Sequence, residues 1–306
     1  AQKNFDWRNF PYFTGGGQDL RFRAELGSVT SNFELSFTEP WMWDYPVSFG
    51  FDGYHRAHDR ESDVGYGYSE KRTGGDLRLG KEFNEYLRGD MLYRIEEVDI
   101  SNVSSDATND LRKEVGKNII SSMQFGLTKD ARDNIFNPTQ GYVLGGSFEL
   151  AGGPLGGDKD FAKITGTASK YFSLVRSSVI EFKLRAGLSD AYGDSSTVPI
   201  YERFYAGGAY SIRGYNERKV GPIDTVSKDP IGGEAMLIGN IEYLYPLADF
   251  LKAAVFYDVG NVWSKLDKFA GGGYKTGIGL GVRVKTPIGP LRLDYGFPMN
   301  KEPGEP

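Results

Sequence analysis

The chain has 306 residues, with 36 Lys and Arg against 41 Asp and Glu, a formal charge of −5, 41 Gly, 20 Phe, 19 Tyr, 4 Trp, 2 His and no Cys. An acidic balance without a basic patch argues against a nucleic-acid binder, the missing thiols exclude disulfides, zinc ribbons and Cys nucleophiles, and no apolar run reaches the roughly 18 residues a spanning helix needs. Length alone allows one large β domain or two average ones.

Apolar residues recur at every second position along most of the chain, the period of a strand. The pattern predicts a partial strand near 1–12, then strands over 18–29, 31–39, 46–56, 64–82, 86–100, 117–129, 140–151, 161–174, 178–191, 233–246, 251–263, 273–286 and 290–298. In 20–27, Leu20, Phe22, Ala24 and Leu26 oppose Arg21, Arg23, Glu25 and Gly27. In 274–286, Tyr274, Thr276, Ile278, Leu280, Val282 and Val284 oppose Lys275, Gly277, Gly279, Gly281, Arg283 and Lys285, and 291–298 sets Leu291, Leu293, Tyr295 and Phe297 against Arg292, Asp294 and Gly296.

The second face mixes charged residues with glycine, where a soluble sheet would carry a Thr, Ser and Lys face toward water. Apolar residues outward and a charged, roomy lumen inward form the signature of a transmembrane antiparallel β-barrel. A mean hydropathy of −0.43 fits it, because only alternate residues meet lipid. At roughly 20 residues per strand and connection, the length holds about 15 strands. Short turns, Glu82–Glu85 and Pro287–Pro290, alternate with longer loops such as 101–116 and 192–232, as on the two rims of an outer-membrane barrel. The four Trp, at 7, 41, 43 and 263, fall at predicted strand ends, where an aromatic girdle requires them. The competing reading is a soluble all-β sandwich or propeller, for example a carbohydrate-binding protein.

Loop 192–232 is too long for a plain connection. It carries Phe204-Tyr205-Ala206-Gly207-Gly208, then Ser211-Ile212-Arg213-Gly214-Tyr215 and Val220-Gly221-Pro222, a composition suited to folding back and packing. Parity in 233–246 points Glu242 inward, and parity in 251–263 points Phe256, Asp258 and Gly260 inward. Two carboxylates therefore face the lumen beside the loop. A guanidinium is a planar fork matched to carboxylates, so Arg213 is expected to be clamped by Asp258 and Glu242, fixing the loop's position.

These residues resemble the BamA-type outer-membrane assembly superfamily. Ile212-Arg213-Gly214-Tyr215 is similar to its lid-loop motif, and Phe256-Tyr257-Asp258-Val259-Gly260-Asn261-Val262-Trp263 to a luminal strand motif. Gly281-Val282-Arg283, with Thr286 to Gly296, resembles its C-terminal strands, and Thr128-Lys129-Asp130-Ala131-Arg132-Asp133 with Asn137-Pro138 and Gly141 a further turn. The likeness runs from about residue 12 to 298 and is densest after 200. It implies a 16-stranded barrel of the bacterial outer membrane, about 14 strands being represented. Such a barrel inserts other barrels through a lateral seam without nucleotide, metal or other cofactor, its lid-loop Arg213 pairing with Asp258 and Glu242 while Phe256 and Gly260 support them.

The implied partners are unfolded outer-membrane proteins, outer-membrane lipid and lipopolysaccharide, and accessory assembly lipoproteins, with no nucleic acid. The resemblance also implies that 1–306 is one barrel domain lacking its first and last strands and the N-terminal POTRA repeats. Position 1 would fall within the family's second strand. A two-partner-secretion transporter or a passive porin are the alternatives within the membrane, the porin leaving Arg213 unpaired.

Enzymatic chemistry finds no support. Asp130 to Asn134 lacks the spacing of a calcium loop, and Gly152 to Gly157 has no Lys-Ser/Thr after it. His55 and His58, near Asp52, Asp59 and Glu61, read as a solvated rim, and Glu96 and Glu97 point to opposite faces of one strand, unlike a glycosidase pair.

Overall fold

A computed structural model describes residues 17–60, 68–105, 107–286 and 289–301. The expected strand near 1–12, Trp7, Glu61, residues 64–67 of one predicted strand, Pro287 and Ile288 lie outside them.

Among the described residues thirteen strands form one antiparallel sheet in sequence order. They are β1 (Asp19–Leu26), β2 (Thr30–Glu39), β3 (Val47–Arg60), β4 (Tyr68–Asn84), β5 (Leu87–Ser101), β6 (Gly116–Asp130), β7 (Gly141–Ala151), β8 (Phe161–Ser173), β9 (Val179–Ala191), β10 (Ala235–Ala248), β11 (Leu251–Trp263), β12 (Lys275–Thr286) and β13 (Gly289–Pro298). Each strand pairs with its neighbours in the chain, so the sheet is an all-antiparallel meander. Within the described residues β1 is bonded to β2 and β13 to β12, leaving the sheet open. Among the described residues no helix is long and apolar enough to cross a membrane; the α-helical turn α1 (Asn109–Arg112) is capped by Thr108, whose side chain accepts the Leu111 N–H.

Alternation decides which face each residue takes. On β11, Val255 and Tyr257 are exposed on the outside, and Ala254, Phe256 and Asp258 are buried on the inside. On β12, Ile278 and Leu280 are exposed outside, opposite the glycine face. One rim carries the two-residue turns at 85–86 and 249–250 together with the longer 131–140, while the other rim carries 102–115, 152–160, 192–234 and 264–274. The turn at 131–140 is closed by Asp133, which accepts N–H bonds from Asn134, Thr139 and Gln140.

The buried apolar groups gather under the long loops. One cluster joins Tyr68, Val98, Ile100 and Ile120 of the wall to Leu111 of α1 and to Val198 and Ile200. A second joins Ile238 and Val262 to Ala206, Ile212, Tyr215 and Val220. The core therefore lies on the inner face of the sheet, and loop 192–234 supplies much of it.

The Trp girdle holds in part. Trp41 and Trp43 are exposed at the β2–β3 turn, but Trp263 is 7% exposed. Its indole donates to the Gly272 carbonyl at 2.9 Å and packs edge-on against Phe269 and Tyr274. A strand-end position does not tell whether the next loop folds over the ring, and here loop 264–274 does.

Candidate functional site: the inner loop around Arg213

Loop 192–234 leaves β9 and turns back inside the sheet. Phe204 pairs with Gly233 and Ala206 with Val220 as isolated bridges, giving the loop its own short ladder. Its tip is closed by Ser211, whose Oγ accepts from the Gly207 N–H at 2.7 Å and donates to the Gly207 carbonyl at 2.6 Å. Ile212 is completely buried beside Ile238 and Val262, so the residue next to it is delivered to the wall.

That residue is Arg213. Its Nε donates to Asp258 Oδ2 at 2.6 Å and its Nη2 to Asp258 Oδ1 at 2.7 Å, a bidentate pair. Its backbone N–H also donates to Asp258 Oδ2, at 3.0 Å. Nη1 reaches Glu242 Oε2 at 2.8 Å and Asp294 Oδ2 at 3.2 Å. The guanidinium carbon lies over Phe256, 3.4 Å from the ring centroid, as a cation on an aromatic face. Asp258 has no exposed surface, and Asn240 Nδ2 bridges its Oδ1 to the Ser211 carbonyl, each at 2.8 Å.

The strands make room for this contact by omission. Phe256 is opposite Gly279 on β12, which is opposite Gly296 on β13, so one rung reads aromatic, glycine, glycine. A Cβ on Gly279 would collide with the Phe256 ring, and one on Gly296 would lie 2.8 Å from the Gly214 nitrogen. Gly277, opposite Asp258, faces the Arg213 carbonyl just as closely. Gly214 itself has φ +95° against the Phe297–Pro298 peptide, a conformation glycine adopts without strain. Tyr215 then donates its hydroxyl proton to Asn300 Oδ1 at 2.9 Å. Gly260, on β11, lets Ile238 sit close, since a Cβ there would lie 2.5 Å from the Leu237 carbonyl oxygen.

The profile of the Omp85 superfamily domain matches residues 13–306. The chain belongs to the Omp85 superfamily. It is 32% identical over 292 residues to the outer membrane protein assembly factor BamA of Nitratidesulfovibrio vulgaris, covering 94% of this chain and 36% of that protein. It is 25% identical to BamA of Neisseria meningitidis, covering 94% of this chain and 42% of that one. The chain thus spans well under half the length of these relatives. The crystal structure of BamA from Haemophilus ducreyi lacking POTRA domains 1–3 superposes with a TM-score of 0.81 at 23% identity, over 94% of this chain and 62% of that one, a likeness of fold. The Omp85 sheet described above is accordingly an outer-membrane β-barrel wall.

The structure brings Ile212, Arg213, Gly214, Tyr215, Glu242, Phe256, Asp258 and Gly260 to one place. It adds three residues to that set. Asp294 is a third carboxylate on Arg213, Asn240 orients Asp258, and Arg283 ties Glu242 Oε1 at 3.0 Å to Asp294 Oδ1 at 2.6 Å. The period-two pattern already put Asp294 and Arg283 on the inner faces of their strands, so the signal was present two strands further along. Among the described residues no group of three or more His, Cys, Asp or Glu is placed to hold a metal ion.

Proposed function

We propose that this Omp85 barrel serves in folding and inserting other outer-membrane β-barrel proteins, with the lid loop as a fixed internal element and the moving part elsewhere in the wall. The kinship with BamA assembly factors at up to 32% identity carries this reading. A simple pore fits poorly, since the lumen is crossed by a loop whose Arg213 has three carboxylate partners. The clamp resists displacement because breaking it strands charges away from water.

In this reading incoming strands are templated at a seam by β-augmentation. An unpaired sheet edge is costly in lipid, so a thinly paired edge is where such a barrel opens. The substrates are unfolded outer-membrane proteins, the surroundings outer-membrane lipid and lipopolysaccharide, and accessory lipoproteins would deliver or position the substrate.

The full-length protein in vesicles of outer-membrane lipid tests this. An unfolded β-barrel substrate, followed by its heat-modifiable gel mobility, should fold faster than in empty vesicles, and the reconstituted barrel should give no large steady conductance. Folding at the empty-vesicle rate together with a wide, constant pore would replace this reading with the porin.

A further inference from the structure

The lid makes a second charged contact, on the opposite wall, at its root rather than its tip. Residues 200–204 read Ile-Tyr-Glu-Arg-Phe, and Pro199 opens a single 3-10 turn over Ile200–Glu202. That turn buries Ile200 and aims Glu202 at the inner faces of β4, β5 and β8. Glu202 Oε1 lies 3.3 Å from Arg72 Nη1 and 3.7 Å from Arg94 Nη1, and Oε2 lies 3.2 Å from Lys163 Nζ. Aromatic neighbours flank it. Arg72 sits over the Tyr201 ring at 5.4 Å and Lys163 over the Phe204 ring at 5.5 Å. Phe204 in turn fills the space a side chain on Gly187 of β9 would need, with ring atoms 2.5 Å from the position of a Cβ.

The wall holds two of these cations without the lid. Arg72 is paired with Glu70 at 2.6 Å and Glu96 at 3.0 Å, and Arg94 with Glu96 at 3.1 Å and Glu149 at 2.7 Å. Tyr54 donates to Glu96 at 2.8 Å, which fixes that carboxylate. The socket is therefore formed by the barrel, and Lys163 completes it by binding the lid through Glu202 and Phe204. Arg203 points the other way, donating to Asp110 at 2.7 Å and to the Val198 and Ile231 carbonyls, so it ties α1 to the same root.

Between the two contacts lie Gly207, with φ +107°, and Gly208, with φ +88°. Consecutive glycines in conformations closed to other residues form a place where the chain can change direction cheaply.

We propose that Glu202 is a second, oppositely charged anchor, a positioning residue that keeps the root of the lid on the β4–β8 wall whether or not Arg213 is engaged. Where the clamp is broken, as in Arg213→Ala, only the tip is freed, turning about Gly207–Gly208, and the lid does not leave the lumen. This deepens the fixed-lid reading above and rests on the loop being the element that Arg213 holds.

Amide exchange of the full-length protein in outer-membrane-lipid vesicles tests it segment by segment. Arg213→Ala should speed exchange of 208–216 by about tenfold or more and leave 200–204 protected. Glu202→Gln should release 200–204 by a similar factor, and Glu202→Asp, which keeps the charge, should retain most of the protection. Lys163→Met approaches from the wall and leaves the lid sequence intact, so it reads the contact even where Glu202→Gln does not fold; it too should release 200–204. Release of 200–204 together with 208–216 in Arg213→Ala would show a single anchor and overturn the proposal, as would full protection of 200–204 in Glu202→Gln and Lys163→Met. Full protection of 208–216 in Arg213→Ala would instead overturn the Arg213 clamp and leave the Glu202 arms to be judged on their own.

Discussion

The two sockets of the lid hold charges of opposite sign, and they are built differently. At the tip, Arg213, 6% exposed, enters a nest of carboxylates, Asp258, Glu242 and Asp294, that are 0%, 12% and 10% exposed. At the root, Glu202, 7% exposed, enters a nest of cations, Arg72, Arg94 and Lys163, that are 17–19% exposed. The tip socket is glycine-lined and closes completely around Asp258, so it accepts one backbone path and is the drier of the two; the cations of the root socket are more exposed and already balanced in part by wall carboxylates. A charge in the dry socket has no water to fall back on. The tip should therefore be the stiffer and costlier contact to break, and the root the softer one that responds to solvent.

Removing the tip charge gives the largest expected effect. Arg213→Ala leaves Asp258 without its bidentate partner, and losing one member of a buried pair costs about 3–5 kcal/mol. Read as lid protection in amide exchange, that loss should exceed the loss in Glu202→Gln; equal losses would erase the distinction between dry and wet sockets. Next comes the backbone path. Gly277→Val places a side chain where the Arg213 carbonyl sits, and overpacking of this kind costs about 1–3 kcal/mol. It should loosen 208–216 without touching any charge, as seen in the same exchange experiment. Tyr215→Phe removes the bond to Asn300 and should cost about 1 kcal/mol, measurable as a small shift in the thermal midpoint of lid release.

The smallest effects are those of solvent, and they belong to the root. Burial alone would raise the Glu202 carboxyl, but Lys163, Arg94 and Arg72 outweigh it and hold the group below the usual carboxylate range. Glu70, Glu96 and Glu149 share that nest and Tyr201 borders it. A depressed value means that the contact's contribution is complete above the ordinary carboxylate range, near 4.3, and is lost as pH falls through the lowered value. The protection of 200–204, taken relative to the intrinsic exchange rate at each pH, should thus be flat from neutral pH down to about 5 and fall only in stronger acid. Added salt should speed 200–204 slightly and affect 208–216 less, because the cations of the root are the more exposed partners and screening reaches them first.

How much of this could be read from the sequence follows from the same contrast. The strands were legible because lipid and lumen alternate at every residue, and the inward parity of Glu242 and Asp258 named the tip socket once Arg213 was singled out. Asp294 and Arg283 obeyed the same parity and needed only the next two strands to be considered. The root was not legible. Arg72 and Glu202 are 130 positions apart, and nothing local to Tyr201-Glu202-Arg203 tells which wall the loop faces. Trp263 failed for a related reason, since its strand-end position was correct and the loop that covers it carries no marked pattern.

The central claim is that Arg213 and Asp258 act as one unit in holding the lid. A double-mutant cycle of Arg213→Ala with Asp258→Ala, read as the protection of residues 208–216 in outer-membrane lipid, tests it most directly. Strong coupling is expected, with the double variant losing little more than either single one and an interaction energy of about 2 kcal/mol or more. Losses that add to within about 0.5 kcal/mol would contradict it.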